Sequence, residues 1–176
     1  MSKIIRAMSL WREKYETANV IEKFRLISYL YLDSNYVWGT ENPKESDCSG
    51  LICGILTFMG HPVRVTATEL LKKVFTIETG VAYNPLKIKA GFFVANKDYE
   101  TPSGIRKKGT VRHVGFLYGK DLFFHSTYPD GTIIQDLGAV KKKYQKEDTS
   151  FVIRELNWDS LDKMEGEIYG LDPELV

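Results

Sequence analysis

The chain has 176 residues, of which 43% are hydrophobic and 27% charged, and its formal net charge is +1. That length suits a single domain over residues 1–176 with a sizeable core. The balance of 24 basic and 23 acidic side chains excludes a general attraction to nucleic acid, and no apolar run is long enough to span a membrane. Residues 2–10 are too short and too interrupted for a signal peptide, which predicts synthesis in the cytoplasm without a Sec signal.

The first half of the chain carries helical periodicity, because apolar residues recur there at three- and four-residue steps. The predicted helical regions, with the residues able to cap them, are 3–32, whose second segment starts at Thr17 or Asn19, then 49–59 after Ser46 or Asp47, and 68–75 from Thr66 or Thr68. Between the first two regions, a short extended piece at Tyr36 and a polar loop at 40–46 are expected.

Strand-like segments fill the second half, and they are predicted at 88–95, 111–118, 122–127, 132–135 and 150–156. Residues 96–110 carry two glycines, a proline and four basic residues, which predicts a mobile surface loop that flanks the cleft. The lysines at 141–146 are expected on a solvated loop or helix face, and the tail from 157 is acidic and weakly patterned. Helices followed by strands favour an α+β fold with an antiparallel sheet.

Cys48 lies where a helix is expected to begin, directly after Asp47. The helix dipole and unpaired backbone N–H groups there would lower the thiol pKa from about 8.5 and could hold an oxyanion. The alternative is that Cys48 is a small core residue, as expected for Cys53 on the apolar body of the helix. The two thiols would point about 140° apart, which disfavours a disulfide. Gly50 and Gly54 weaken the helix, which predicts close packing by another segment.

His113 and His125 lie on consecutive predicted strands. If the hairpin has an odd loop, for example with Leu117 opposite Asp121, the two imidazoles share one face of the sheet. A two-residue loop would instead place His113 opposite Ser126 and put the imidazoles on opposite faces. The odd register is therefore a structural requirement of a catalytic site that uses both histidines with a cysteine.

The order of these motifs resembles the NlpC/p60 cysteine peptidases over roughly residues 17–156, which leaves a C-terminal tail at 157–176. The matching motifs are Tyr36-x-Trp-Gly, Asp47-Cys48-Ser49-Gly50-Leu, His113-Val-Gly-Phe and Phe124-His125-Ser. The resemblance implies a papain-like α+β core in which N-terminal helices and a Cys-bearing helix pack on an antiparallel β-sheet. One departure is residues 90–93, where Ala-Gly-Phe-Phe replaces the Gly-Asp pair that is frequent in the family.

The resemblance also implies roles for individual residues. Cys48 matches the nucleophile, His113 the general base, and His125 the residue that orients the base. Three further residues match positions that contact the oxyanion or the substrate's amino-terminal part: Tyr36, Asp47 and Ser49. Neither a metal nor an organic cofactor is required for this chemistry.

Such enzymes cut D-γ-glutamyl–diamino acid bonds in the stem peptides of peptidoglycan, which makes those peptides the expected partner. Without a signal peptide, a wall hydrolase would act as a phage lysin, a phage tail component or an effector injected by a secretion machine. Two alternatives remain. One is a thiol acyltransferase or amidase on the same fold, although the Cys-before-His order argues against it. The other is a non-catalytic phage assembly or binding module.

Overall fold

The computed structural model describes residues 3–80, 83–101 and 104–169. The helices are α1 (Lys3–Thr17), α2 (Val20–Tyr31), α3 (Cys48–Phe58), α4 (Ala67–Glu69, continued by a π-helical turn at Leu70–Val74), α5 (Leu137–Gln145) and α6 (Trp158–Tyr169). The strands are β1 (Asn35–Tyr36), β2 (Glu41–Asn42), β3 (Glu45–Ser46), β4 (Ile77–Glu78), β5 (Lys89–Ala95), β6 (Tyr99–Thr101), β7 (Gly104–Arg106), β8 (Val111–Leu117), β9 (Leu122–Thr127), β10 (Gly131–Asp136) and β11 (Thr149–Glu155).

The main sheet has the strand order β10-β9-β8-β5-β11-β4, and every neighbouring pair in it is antiparallel. A small sheet, β1-β3-β2, lies before the cysteine-bearing helix, and its β1–β3 pair is parallel. The predicted α+β fold with an antiparallel sheet is therefore confirmed.

The main sheet buries both faces, because alternate side chains of a strand point to opposite sides. One face joins the larger core with α2 and α3, and its members include Phe92, Val114 and Phe116. The other face packs against the apolar side of α5 in a second cluster that holds Phe93, Leu117, Phe123, Leu137, Val140 and Tyr144. Near their shared turn, the odd-numbered residues of β8 and β9 lie on the face that packs against α5. His113 and His125 are odd-numbered, so they lie on this face as well.

Capping residues set where two of these helices begin. Asn19 accepts hydrogen bonds from the backbone of Ile21 and Glu22, and the Glu22 carboxylate accepts from the Asn19 N–H at 2.9 Å. This capping box satisfies backbone donors that a helix start leaves unpaired. Asp47 caps α3 by accepting from the Gly50 N–H at 2.6 Å, without a side chain that bonds back to it. Of the alternatives offered by the sequence, Asn19 and Asp47 are thus the caps.

Helix α3 touches the preceding segment through main-chain atoms. A Cβ at Gly50 would collide with the carbonyl of Thr40, and one at Gly54 would collide with the carbonyl of Glu41 and the hydroxyl of Tyr31. The Tyr31 hydroxyl donates to the same Glu41 carbonyl at 2.9 Å. The close packing predicted from the two glycines is confirmed, and it fixes α3 against the small sheet.

Several segments differ from the sequence prediction, among them α5, for which no helix was predicted. Residues 40–46 contain β2 and β3 rather than only a loop, and residues 96–110 contain the β6–β7 hairpin, which Arg112 supports by stacking on Tyr99 at 4.1 Å. The tail from 157 forms α6, whose Leu161 and Met164 are buried in the larger core. The lysines at 141–146 are largely on α5, consistent with the helix-face alternative. In the described ranges, no helix is long and apolar enough to cross a membrane.

Candidate active site

Cys48 is the first residue of α3 and is 8% exposed. Its N-cap, Asp47, accepts hydrogen bonds at one carboxylate oxygen from the Gly50 N–H at 2.6 Å and the Ser49 hydroxyl at 2.9 Å. The other oxygen accepts from the Gly39 N–H at 2.7 Å. Asp47 thereby holds the start of the helix and the segment before it in one arrangement around the thiol.

The predicted lowering of the Cys48 pKa is wrong. Burial raises the pKa of the thiol to about 12, and the nearby Asp47 carboxylate acts in the same direction. Backbone hydrogen bonds from Val114, Ser49 and Cys48 itself oppose this rise without cancelling it. Removal of a sulfur from water disfavours the thiolate more than the helix start stabilises it. At rest Cys48 therefore carries a neutral thiol, which lies beside the backbone of Val114, the residue next to His113.

The two histidines share a face of the sheet and are directly hydrogen-bonded. The hairpin pairs Phe116 with Phe124 and Leu117 with Phe123, so the register has the parity that the sequence analysis required. The specific pairing of Leu117 with Asp121 is wrong, because the turn lies one residue later, at 119–121, where the Tyr118 N–H donates to the Leu122 carbonyl at 3.0 Å.

The shifted turn places the imidazoles diagonally rather than directly opposite each other. The Nε2 atom of His113 and the Nδ1 atom of His125 are 2.7 Å apart. At this distance one ring donates to the other, so a proton is fixed between the two histidines.

Gln135 continues this hydrogen-bond chain, because its Oε1 lies 3.1 Å from Nε2 of His125. A carbonyl oxygen only accepts, so His125 carries its proton on Nε2 and presents a lone pair at Nδ1. His113 then donates from Nε2, which leaves its Nδ1 unprotonated. The chain thus assigns His113 the tautomer that a general base needs.

Burial keeps both imidazoles neutral. It is the largest cause that lowers the pKa of His113 well below 6.5, and the effects of His125 and Lys143 add to it. For His125, burial lowers the pKa to about 4, with Gln135 opposing the shift and Lys143 adding to it. A neutral thiol and two neutral imidazoles therefore form the resting site.

A glycine makes room for the second histidine. A Cβ at Gly115 would lie 2.7 Å from the Cβ of His125 and 2.7 Å from the carbonyl of Phe124. Only a residue without a side chain fits there while β8 and β9 remain paired and His125 keeps its position.

Buried hydroxyls connect the segment before Cys48 to strands β9 and β10. Ser34 and Thr132 share a 2.6 Å hydrogen bond, and the hydroxyl of Ser46 lies 3.1 Å from that of Thr132. The Ser126 hydroxyl donates to the Ser46 carbonyl at 2.6 Å. Since Ser126 follows His125 and Ser46 precedes Asp47, these bonds fix the loop before the cysteine relative to the second histidine.

Tyr36 lies on the rim of this site. It is half-buried, and its ring contacts that of Tyr128 edge to face, with centroids 6.3 Å apart. Burial raises the pKa of its hydroxyl, and the proximity of Cys48 and Asp47 adds to the rise, so the group is a neutral hydrogen-bond donor next to Cys48. In the described ranges, no three His, Cys, Asp or Glu side chains are grouped to hold a metal ion.

Comparison with known proteins decides which family has this arrangement. The family model described as NlpC/P60 matches residues 33–154, which span the small sheet, the cysteine and both histidines. The chain belongs to the NlpC/P60 family. Members of the NlpC/P60 family are cysteine peptidases or hydrolases. No curated protein sequence matches the chain.

Solved structures from the NlpC/P60 family are similar to this chain in fold. NlpC2 from Trichomonas vaginalis is 21% identical, with a TM-score of 0.55, and the match covers 80% of this chain and 50% of that one. An NLP/P60 protein similar to a lipoprotein from Staphylococcus aureus is 21% identical (TM-score 0.55; 76% and 40% covered). An NlpC/P60 protein from Bacillus cereus is 18% identical (TM-score 0.57; 77% and 40% covered). The chain therefore spans half or less of the length of these proteins.

Two residues of this NlpC/P60 site escaped the sequence analysis. Gln135 shares a face of β10 with Ile133, which pairs with His125, so strand alternation could have signalled it. Tyr144 stacks on His113, but its helix was not predicted, so no sequence signal placed it there.

Proposed function

We propose that the protein is a peptidoglycan endopeptidase that cleaves the D-γ-glutamyl–diamino acid bond of stem peptides. Cys48 is the nucleophile, His113 the general base and His125 the residue that orients it. The observation that carries the proposal is the hydrogen-bond chain from Gln135 through His125 to His113, which ends in an unprotonated Nδ1 on the strand beside the thiol. Ionisable groups with strongly shifted pKa values are concentrated at functional sites, which favours an enzyme over a non-catalytic module.

The chemistry follows from the neutral resting state. The proton of the Cys48 thiol moves to Nδ1 of His113 as the sulfur bonds to the γ-glutamyl carbonyl carbon. Backbone N–H groups at the start of α3 and the Tyr36 hydroxyl stabilise the oxyanion. The imidazolium then gives its proton to the leaving amine as the C–N bond breaks. Water, deprotonated by His113, attacks the thioester carbonyl carbon, the C–S bond breaks, and the proton passes from His113 to the Cys48 sulfur, which restores the thiol.

The residues beside the nucleophile support a substrate with a free amino group. A carboxylate offers about four acceptor positions, and Asp47 uses three of them on Ser49, Gly50 and Gly39. The remaining one can accept from a substrate ammonium, with the Ser49 hydroxyl next to it. Short peptides with charged ends would be selected over the backbone of a folded protein.

The decisive experiment is digestion of purified peptidoglycan, followed by mass spectrometry of the released fragments. Fragments that end in D-γ-glutamate are expected, and casein should stay intact. Release only at the sugar–lactyl amide, or efficient digestion of casein, would refute the substrate assignment.

The two cysteines provide a matched control. Cys48→Ala should abolish hydrolysis, whereas Cys53→Ala should retain it, because Cys53 is fully buried and its thiol donates to the Val65 carbonyl. Both variants lose one buried sulfur, so similar melting temperatures would separate loss of chemistry from loss of folding. Hydrolysis that persists in Cys48→Ala would refute the proposed nucleophile.

A further inference from the structure

We infer that Tyr144 is a positioning residue that holds the imidazole plane of His113 in the orientation required for proton transfer. The inference rests on the proposed function, because it assumes that His113 is the general base. Its starting observation is that the two rings are stacked almost in parallel, with centroids 4.7 Å apart and an interplanar angle of 9°.

The hydrogen bond to His125 does not by itself fix that orientation. In a histidine ring, Nε2 lies closer to the Cβ–Cγ rotation axis than Nδ1 does, so a bond at Nε2 constrains rotation of the ring weakly. The same rotation swings Nδ1, the atom that must receive the thiol proton. Rotation about this bond is soft in histidine, so a second contact on the ring face is needed. Tyr144 supplies that contact.

The Tyr144 ring is itself held on several sides. It is 8% exposed and stacks on Phe93 with centroids 4.5 Å apart. Its hydroxyl lies near that of Thr127, which accepts from Nζ of Lys143 at 3.3 Å.

The backbone at this position is fixed as well, because the Tyr144 carbonyl accepts from the hydroxyl of Thr149 at 2.9 Å. A ring held at its backbone and stacked on a neighbouring ring can impose its plane on the imidazole. Aromatic pairs of this kind contribute beyond simple burial.

Helix α5 is what brings the tyrosine to this place. Leu137, Val140 and Tyr144 recur at helical spacing and bury one side of α5 on the sheet face that carries both histidines. The helix thus supports the active site from the side opposite α3.

The test compares two substitutions in the full-length protein, with parent enzyme acting on a stem peptide as reference. Tyr144→Phe keeps the ring and should stay within about threefold of the parent kcat. Tyr144→Leu removes the ring and should lower kcat by about 100-fold with little change in KM, since misplacement of a reacting group by about 1 Å costs that much. Each kcat is expressed per folded molecule, using the unfolding curve.

Leu137→Ala is the matched control, because it damages the same helix without contacting His113. It should lower the melting temperature and leave kcat per folded molecule close to that of the parent. If Tyr144→Leu retains the parent kcat, or if Tyr144→Phe loses as much as Tyr144→Leu, the inference is refuted. If Cys48→Ala cleaves the same peptide as fast as the parent, the proposed function fails instead.

Discussion

The buried histidine pair should make the stability of the fold depend on pH below about pH 6.5. His125 has its pKa lowered from 6.5 to about 4, mainly by burial. Between these values the unfolded chain binds a proton that the folded chain does not bind. The free energy of unfolding therefore falls as pH falls through this window. The stabilising contribution of His125 is complete only above about pH 6.5.

The size of the effect follows from the two pKa values. The full shift corresponds to about 3 kcal/mol, and about 2 kcal/mol of it is lost between pH 7 and about pH 5. The lowered pKa of His113 acts in the same direction. For a small domain this is a substantial part of the total stability, which is about 5–15 kcal/mol.

The assay is urea unfolding at several pH values, followed by tryptophan fluorescence, for the parent and His125→Asn. Asparagine does not titrate, so the variant should lose about 2 kcal/mol less than the parent between pH 7 and about pH 5. If the two proteins lose the same free energy over that range, His125 is not a buried neutral histidine, and the tautomer assignment built on it is wrong.

Three further results are expected. Gln135→Leu should lower kcat and reduce the free energy of unfolding by about 1–3 kcal/mol, because the His125 N–H loses its acceptor. If both values stay unchanged, the hydrogen-bond chain from Gln135 to His113 has no role. Gly115→Ala should cost about 1–3 kcal/mol by overpacking against His125 and should also impair hydrolysis, which thermal unfolding and peptide cleavage would measure. The acidic limb of kcat/KM should lie below pH 6.5, because the pKa of His113 is lowered and protonation removes the base; a limb at or above that pH would argue against this assignment.

Local signals in the sequence predicted the parts of the fold that depend on neighbouring residues. Polar residues before an apolar run narrowed the cap of α3 to Ser46 or Asp47. Alternation along 111–118 and 122–127 put both histidines on one face only on the condition of an odd loop, which the structure then supplied. The exact hairpin pairing was wrong because turns at 118–120 and 119–121 have the same parity, and only the packing of β8 against β9 selects between them.

Features that depend on tertiary burial were not predictable in this way. The sign of the Cys48 pKa shift was wrong because desolvation by the assembled core outweighs the helix start, and the sequence does not report desolvation. Helix α6 was missed because the acidic residues around Leu161 and Met164 weaken the apolar pattern. These two residues enter the core only when α6 packs against the rest of the fold. Tyr144 likewise reaches His113 only when α5 packs on the sheet.

The glycine contacts of α3 have a consequence for how this protein tolerates evolutionary change. Gly50 and Gly54 rest on carbonyl groups of Thr40 and Glu41, so main-chain atoms, which every amino acid shares, set the distance between helix and loop. Substitutions elsewhere in the core can therefore accumulate while the sulfur of Cys48 keeps its position. A helix position that does not depend on other core side chains fits a chain that retains the motifs of its family while sharing only 18–21% of its residues with the structures it resembles.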